Sequence, residues 1–81
     1  MKLELYYYAQ CPYCHMVLKK IESLDLNDKI ELKNTLETPE HRKFHQDKTG
    51  RATVPCLYID GQPMFESSDI CDWLETHQKK I

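Results

Sequence analysis

The sequence predicts an α/β fold: a mixed sheet of four strands flanked by three helices, in the order β-α-β-α-β-β-α. Three observations carry this. A β-prone aromatic run, Leu3 to Tyr8, leads directly into apolar residues at helical spacing: Cys14, Val17, Leu18, Ile21 and Leu24. Ile30-Glu31-Leu32-Lys33-Asn34 then alternates as a strand does. Last, Asp60-Gly61 is a two-residue hairpin signal between Cys56–Ile59 and Gln62–Phe65.

The elements follow in order. The first strand, helix and second strand form a β-α-β unit, so the two strands are expected to be parallel with a right-handed crossover. Lys19, Lys20 and Glu22 occupy the helix face opposite the apolar stripe. Asp25 to Lys29 reads as a polar turn. Thr38-Pro39-Glu40 reads as a helix start, with Thr38 at the N-cap and Pro39 in the first turn. That helix runs to about Lys48, with Gly50 beyond its end. Pro63 marks the return strand of the hairpin as an edge. Ser67 or Ser68 is expected to cap the last helix, whose stripe is Ile70, Trp73, Leu74 and His77. Lys79-Lys80-Ile81 reads as a frayed end.

At 81 residues with a net charge of −2, the chain is sized for one domain, residues 1–81, here expected to be a monomer. Acidic and basic residues are interspersed, so the basic footprint of a nucleic-acid binder is missing. No apolar run is long enough to span a membrane, and Met1-Lys2-Leu3-Glu4 does not begin a signal peptide. A cytoplasmic location follows as the expectation, with the four cysteines mostly reduced.

The chemistry concentrates in Cys11-Pro12-Tyr13-Cys14, where the first strand gives way to the first helix. Carboxyl ends of strands are where open α/β sheets bind ligands. A cysteine at a helix N-terminus meets unsatisfied N–H groups and the positive end of the helix dipole, both of which favour the thiolate. The thiolate is the nucleophile of thiol–disulfide exchange. Cys14 lies one turn in and can attack a mixed disulfide formed at Cys11. The same spacing also serves as half of a tetrahedral zinc site, or as a pair of inert thiols.

Taken together, Cys11-Pro12-Tyr13-Cys14, Thr53-Val54-Pro55, the Asp60-Gly61 hairpin and Ser67-Ser68-Asp69 resemble a glutaredoxin of the dithiol type, over essentially all 81 residues. The resemblance implies a thioredoxin-like fold and a redox-active pair, Cys11 and Cys14, as the catalytic residues. It implies reduction of protein disulfides and glutathione mixed disulfides, with glutathione as reducing co-substrate and no metal. It also implies a cis peptide bond before Pro55, with Tyr13, Thr53, Val54 and Pro55 along the glutathione groove. Val54 would pair its backbone with the cysteinyl part, Ser67 and Ser68 would hold the γ-glutamyl carboxylate, and Arg42 would reach the glycyl carboxylate.

Two departures stand out. Tyr8 replaces a Lys that many glutaredoxins carry three residues before the first cysteine, and Phe65-Glu66 replaces the usual Gly-Gly. The resulting Glu66-Ser67 resembles the N-terminal domain of glutathione transferases, where Glu-Ser grips the γ-glutamyl group. Without a transferase's all-helical second domain, conjugation to an electrophile is not expected.

Tyr8 in place of Lys favours an alternative. In it the protein is a redox carrier, reduced by thioredoxin reductase and serving one enzyme such as a ribonucleotide reductase. A third reading, a metal or iron–sulfur module using Cys11, is disfavoured by the competing Cys14. Cys56 and Cys71 read as buried and partly buried thiols, and His15 as an exposed helix residue. His41 and His45, at i and i+4, lack further ligands for a metal.

Overall fold

The computed structural model describes residues Met1–Ile81. The elements are β1 (Leu3–Tyr7), α1 (Pro12–Ser23), β2 (Glu31–Asn34), α2 (Pro39–Thr49), β3 (Cys56–Ile59), β4 (Gln62–Met64) and α3 (Ser67–His77), then a 3-10 turn, Gln78–Lys80. The sheet order is β2-β1-β3-β4. β1 runs parallel to β2 and antiparallel to β3, and β4 returns antiparallel on β3. This is the expected mixed sheet with three helices.

Period-two alternation sorts β1 between two faces. Leu3 and Leu5 point into the main core with Val17 and Ile21 of α1, Leu57 of β3, and Ile70 and Leu74 of α3. Tyr6 points the other way, into a smaller cluster with Cys56 and Tyr58, under α2. Leu5 pairs with Leu32 on one side and Leu57 on the other, so β1 is the centre of the sheet. Pro63 stands opposite Tyr58 on the edge strand β4, where its missing N–H costs no ladder bond. No helix is long and apolar enough to cross a membrane.

Several local expectations need correction. Thr38 occupies the N-cap of α2, but its side chain makes no capping hydrogen bond. The turn before α2 is organised instead by Asn34, whose Oδ1 accepts the N–H groups of Leu36 and Glu37 at 2.9 and 3.0 Å. Neither Ser67 nor Ser68 caps α3: Glu66 is the N-cap, at φ 73°, ψ 114°. Its carbonyl already accepts the Ile70 N–H at 3.0 Å, so both serines lie inside the first turn. The C-terminus is not frayed, because Ile81 is half-buried against the main core. Within the polar turn after α1, Leu26 is buried and joins the same core. Gly50 ends α2 at φ 83°, the left-handed conformation in which glycine carries no side-chain penalty, and this reverses the chain toward β3.

Candidate active site

β1 ends at Tyr7, and Tyr8 turns the chain by accepting the Cys11 N–H at 3.3 Å. Cys11 is the N-cap of α1, in extended conformation, with Pro12 beginning the helix. Its Sγ accepts the Cys14 backbone N–H at 3.3 Å. Such a donor stabilises a sulfur anion more than a neutral thiol, because the hydrogen bond becomes charge-assisted. Both cysteines are reduced and buried; Cys11 retains 5% exposure and Cys14 none. Burial pushes the Cys14 thiol up to about 12, and its contact with the Cys11 sulfur adds to that. A group raised so far stays protonated through the neutral range. Iodoacetamide, which alkylates thiolates, is therefore expected to label Cys11 before Cys14. Mass mapping of the labelled peptide checks this, and labelling of Cys14 first would reverse the assignment.

Beside the dithiol lies a cleft of about 260 Å³, lined by Tyr13, Arg51, Thr53, Val54, Pro55, Phe65, Glu66 and Ser67. Three elements converge on it: the first turn of α1, the segment between α2 and β3, and the start of α3. The Val54–Pro55 peptide bond is cis. Neither the N–H nor the C=O of Val54 is used in a hydrogen bond within the protein. That leaves a donor and an acceptor free for an extended peptide. The Arg51 guanidinium lies 3.9 Å from the centre of the Phe65 ring, a cation–π arrangement that holds a positive charge at the cleft. Glu66 supplies a carboxylate from a positive φ, which few non-glycine residues adopt and which recurs where a site demands it.

Of the residues expected to form a groove, Tyr13, Thr53, Val54, Pro55 and Ser67 come together. Cys11 and Cys14 do not line the cleft but adjoin it through Tyr13. Ser68 is exposed and outside the lining. Arg42 is not brought to the cleft: it lies on the exposed face of α2, its Nη1 donating to Gln46 at 3.5 Å. Arg51, just after the left-handed Gly50, is the arginine that lines the cleft. Arg51, Phe65 and Glu66 escaped the expected set. The signal available for Arg51 was a basic residue between a helix-ending glycine and Thr53-Val54-Pro55.

The remaining reactive residues are accounted for structurally. Burial pushes the Cys56 thiol up to about 12. Cys71 is half-buried, and its Sγ donates to the Met16 carbonyl at 3.8 Å. His15 is exposed, with Nε2 against the Ala9 carbonyl. His45 is fully buried and uses both ring nitrogens within the protein. No group of three or more His, Cys, Asp or Glu side chains is placed to hold a metal ion.

The fold recurs in solved structures. An epsilon-class glutathione S-transferase from housefly, Musca domestica, is 26% identical, with a TM-score of 0.78 over 99% of this chain and 37% of its own. A trimeric glutathione transferase of Leishmania, TDR1, is 28% identical, with a TM-score of 0.75 over 94% of this chain and 17% of its own. The chain thus spans well under half the length of these two enzymes. A thioredoxin-like protein, BC3987, shares the fold at 19% identity and a TM-score of 0.73, over 93% of this chain and 96% of its own. No curated protein sequence matches the chain. Residues 5–80 match the family described as glutathione S-transferase, N-terminal domain. With its thioredoxin-like sheet and the cleft at the start of α3, the chain belongs to the glutathione S-transferase N-terminal domain family.

Proposed function

We propose that this chain is a glutathione-dependent thiol–disulfide oxidoreductase of the glutaredoxin type, with residues 1–81 as one catalytic domain. The observation that carries the reading is the Cys11 sulfur, held by a helix N-terminal N–H, beside a cleft with an unused Val54 backbone pair. An apolar ligand would leave that backbone pair, Arg51 and Glu66 without partners. A short peptide with a free amine and two carboxylates, as glutathione has, can use all of them.

In this reading the Cys11 thiolate attacks the sulfur of a glutathione mixed disulfide. A new Cys11–glutathione disulfide forms, and the target leaves as a thiolate that takes up a proton. One free glutathione attacks that disulfide, frees Cys11 and departs joined to the first as glutathione disulfide, so the net exchange consumes one glutathione and releases the target thiol. With a protein disulfide, Cys11 first bonds one target sulfur and releases the other as a thiolate. Cys14 then attacks Cys11, the Cys11–target bond breaks, and the Cys14 proton passes to the departing sulfur. Two glutathiones reduce the Cys11–Cys14 disulfide and leave as glutathione disulfide. Glutaredoxin couples lie at roughly −200 to −230 mV, close to the cytosolic glutathione poise, so glutathione can recharge the dithiol. The deciding experiment is activity on a glutathionylated peptide and on a protein disulfide, with each cysteine replaced by serine in turn.

Arg51 is the cation within reach of a glutathione carboxylate. Arg51→Ala is expected to raise the KM for glutathione roughly fivefold, the size of a partly exposed ion pair, with kcat little changed. Arg42→Ala is expected to leave KM as it is. The reverse pattern would return the carboxylate to Arg42.

A second reading is favoured by Tyr8, which stands half-buried where a cation would otherwise support a glutathione carboxylate. The same dithiol would then be reduced by thioredoxin reductase and would serve a single enzyme such as a ribonucleotide reductase. Comparing the rates of reduction by glutathione and by thioredoxin reductase separates the two.

A further inference from the structure

His45 sits on α2, away from the dithiol, yet it touches the cleft through one bond. Its Nε2 lies 2.7 Å from the Thr53 carbonyl, and its Nδ1 lies 2.8 Å from the Tyr58 hydroxyl. A carbonyl can only accept, so the proton between His45 and Thr53 belongs to Nε2. Nδ1 is then the acceptor, and the Tyr58 hydroxyl donates to it. The result is a directed chain: Tyr58 O–H to His45 Nδ1, then His45 Nε2–H to Thr53 C=O. His45 is fully buried, Tyr58 nearly so, and the rings of Tyr6 and Phe65 enclose the imidazole at centroid distances of 5.4 and 5.7 Å. Water has little access to compete for these bonds.

The chain matters because of what it holds. Residues 51–55 make no backbone–backbone hydrogen bond. The Thr49 hydroxyl ties down Arg51, through its carbonyl at 2.8 Å and its N–H at 3.3 Å. From there to the start of β3, the His45 bond to Thr53 is the remaining tie. Thr53 immediately precedes Val54, which lines the cleft and whose N–H and C=O are free.

We propose that His45, oriented by Tyr58, is a positioning residue: it fixes the Thr53 peptide and thereby aims the Val54 backbone pair at the bound peptide. The catalytic part of this inference rests on the function proposed above; the ordering of the 51–54 segment does not. His45→Phe keeps an aromatic ring in the same packing and removes both bonds. It is expected to raise the KM for a glutathionylated peptide about tenfold, the cost of one buried hydrogen bond, with kcat nearly unchanged. His45→Gln, whose amide nitrogen reaches about as far as Nε2, is expected to bring KM back toward the native value. A purely structural role would show the opposite order, because Gln packs worse than Phe in that aromatic cage.

Two spectroscopic readouts need no turnover. The ring ¹⁵N shifts of His45 should show the proton on Nε2, and the backbone order parameters of Thr53 and Val54 should fall in His45→Phe. If wild-type protein does not act on glutathionylated peptide while these two results hold, the proposed function fails and the positioning role stands. A folded His45→Phe with native KM and native order parameters at Thr53 and Val54 overturns the role. Should His45→Phe not fold, the ring tautomer and Tyr58→Phe decide. Nε2–H with a raised KM in Tyr58→Phe supports the role, and a proton on Nδ1 overturns it.

Discussion

Replacing Cys11 by serine is expected to stop all exchange, whereas Cys14→Ser should stop only half of the chemistry. Cys11 is the sulfur that receives a helix N-terminal N–H, and a serine hydroxyl there has no base beside it to make it a nucleophile. Cys14→Ser leaves that nucleophile intact. A Cys11–glutathione disulfide can still be opened by free glutathione, so removal of glutathione from a peptide should survive. Reduction of a protein disulfide should fall by orders of magnitude, because the mixed disulfide loses its intramolecular exit. A well-oriented neighbouring thiol has an effective concentration on the order of 10⁵ M or more, which no dissolved thiol matches. Side-by-side assays on the two substrates test this. Equal loss of both activities in Cys14→Ser would remove the glutathione step and favour the reductase-fed carrier.

Leu5→Ala is expected to bring the domain close to unfolding. Leu5 is fully buried on the central strand, paired with Leu32 and Leu57, and belongs to the core cluster it shares with α1 and α3 residues. Removing a buried leucine side chain costs about 2–5 kcal/mol, from lost transfer energy and the cavity left behind. A chain of 81 residues has about 4–12 kcal/mol in total at the usual stability per residue. The loss is therefore a large share of what exists. Urea unfolding should show a strongly lowered midpoint at an unchanged slope. A drop under about 1 kcal/mol would mean that β1 is not the packing centre. Because β1 also leads to Cys11, the same variant should lose activity in step with its folded fraction.

Much of the architecture was legible because the signals are local. A strand alternates every two residues and a helix repeats every 3.6, so a short window states its own structure. The Asp60-Gly61 turn, the Gly50 stop and the Cys11-Pro12 helix start are each set by one or two residues whose backbone preferences are strong. Caps were less legible, because the neighbouring turn and backbone, and not the cap residue alone, set which groups bond at a helix start. Thr38 could have capped α2, but Asn34 organised the preceding turn. Ser67 and Ser68 could have capped α3, but Glu66 accepted a positive φ and moved the helix start ahead of them.

By itself the sequence determined the order of the elements and the place of the Cys11/Cys14 pair at the start of α1, since each follows from residues adjacent in the chain. The tertiary structure alone decided which cation faces the cleft, which histidine supports it and where Ile81 packs. Arg42 and Arg51 are equally basic in the sequence; Arg42 lies on the exposed face of α2, whereas Arg51, beyond the Gly50 turn, lies over the Phe65 ring. His45 looked like half of a weak metal pair until packing on the sheet brought Tyr58 and Thr53 to its two nitrogens. These pairings join residues from different elements, and sheet register and helix packing, rather than any local preference, set their distances.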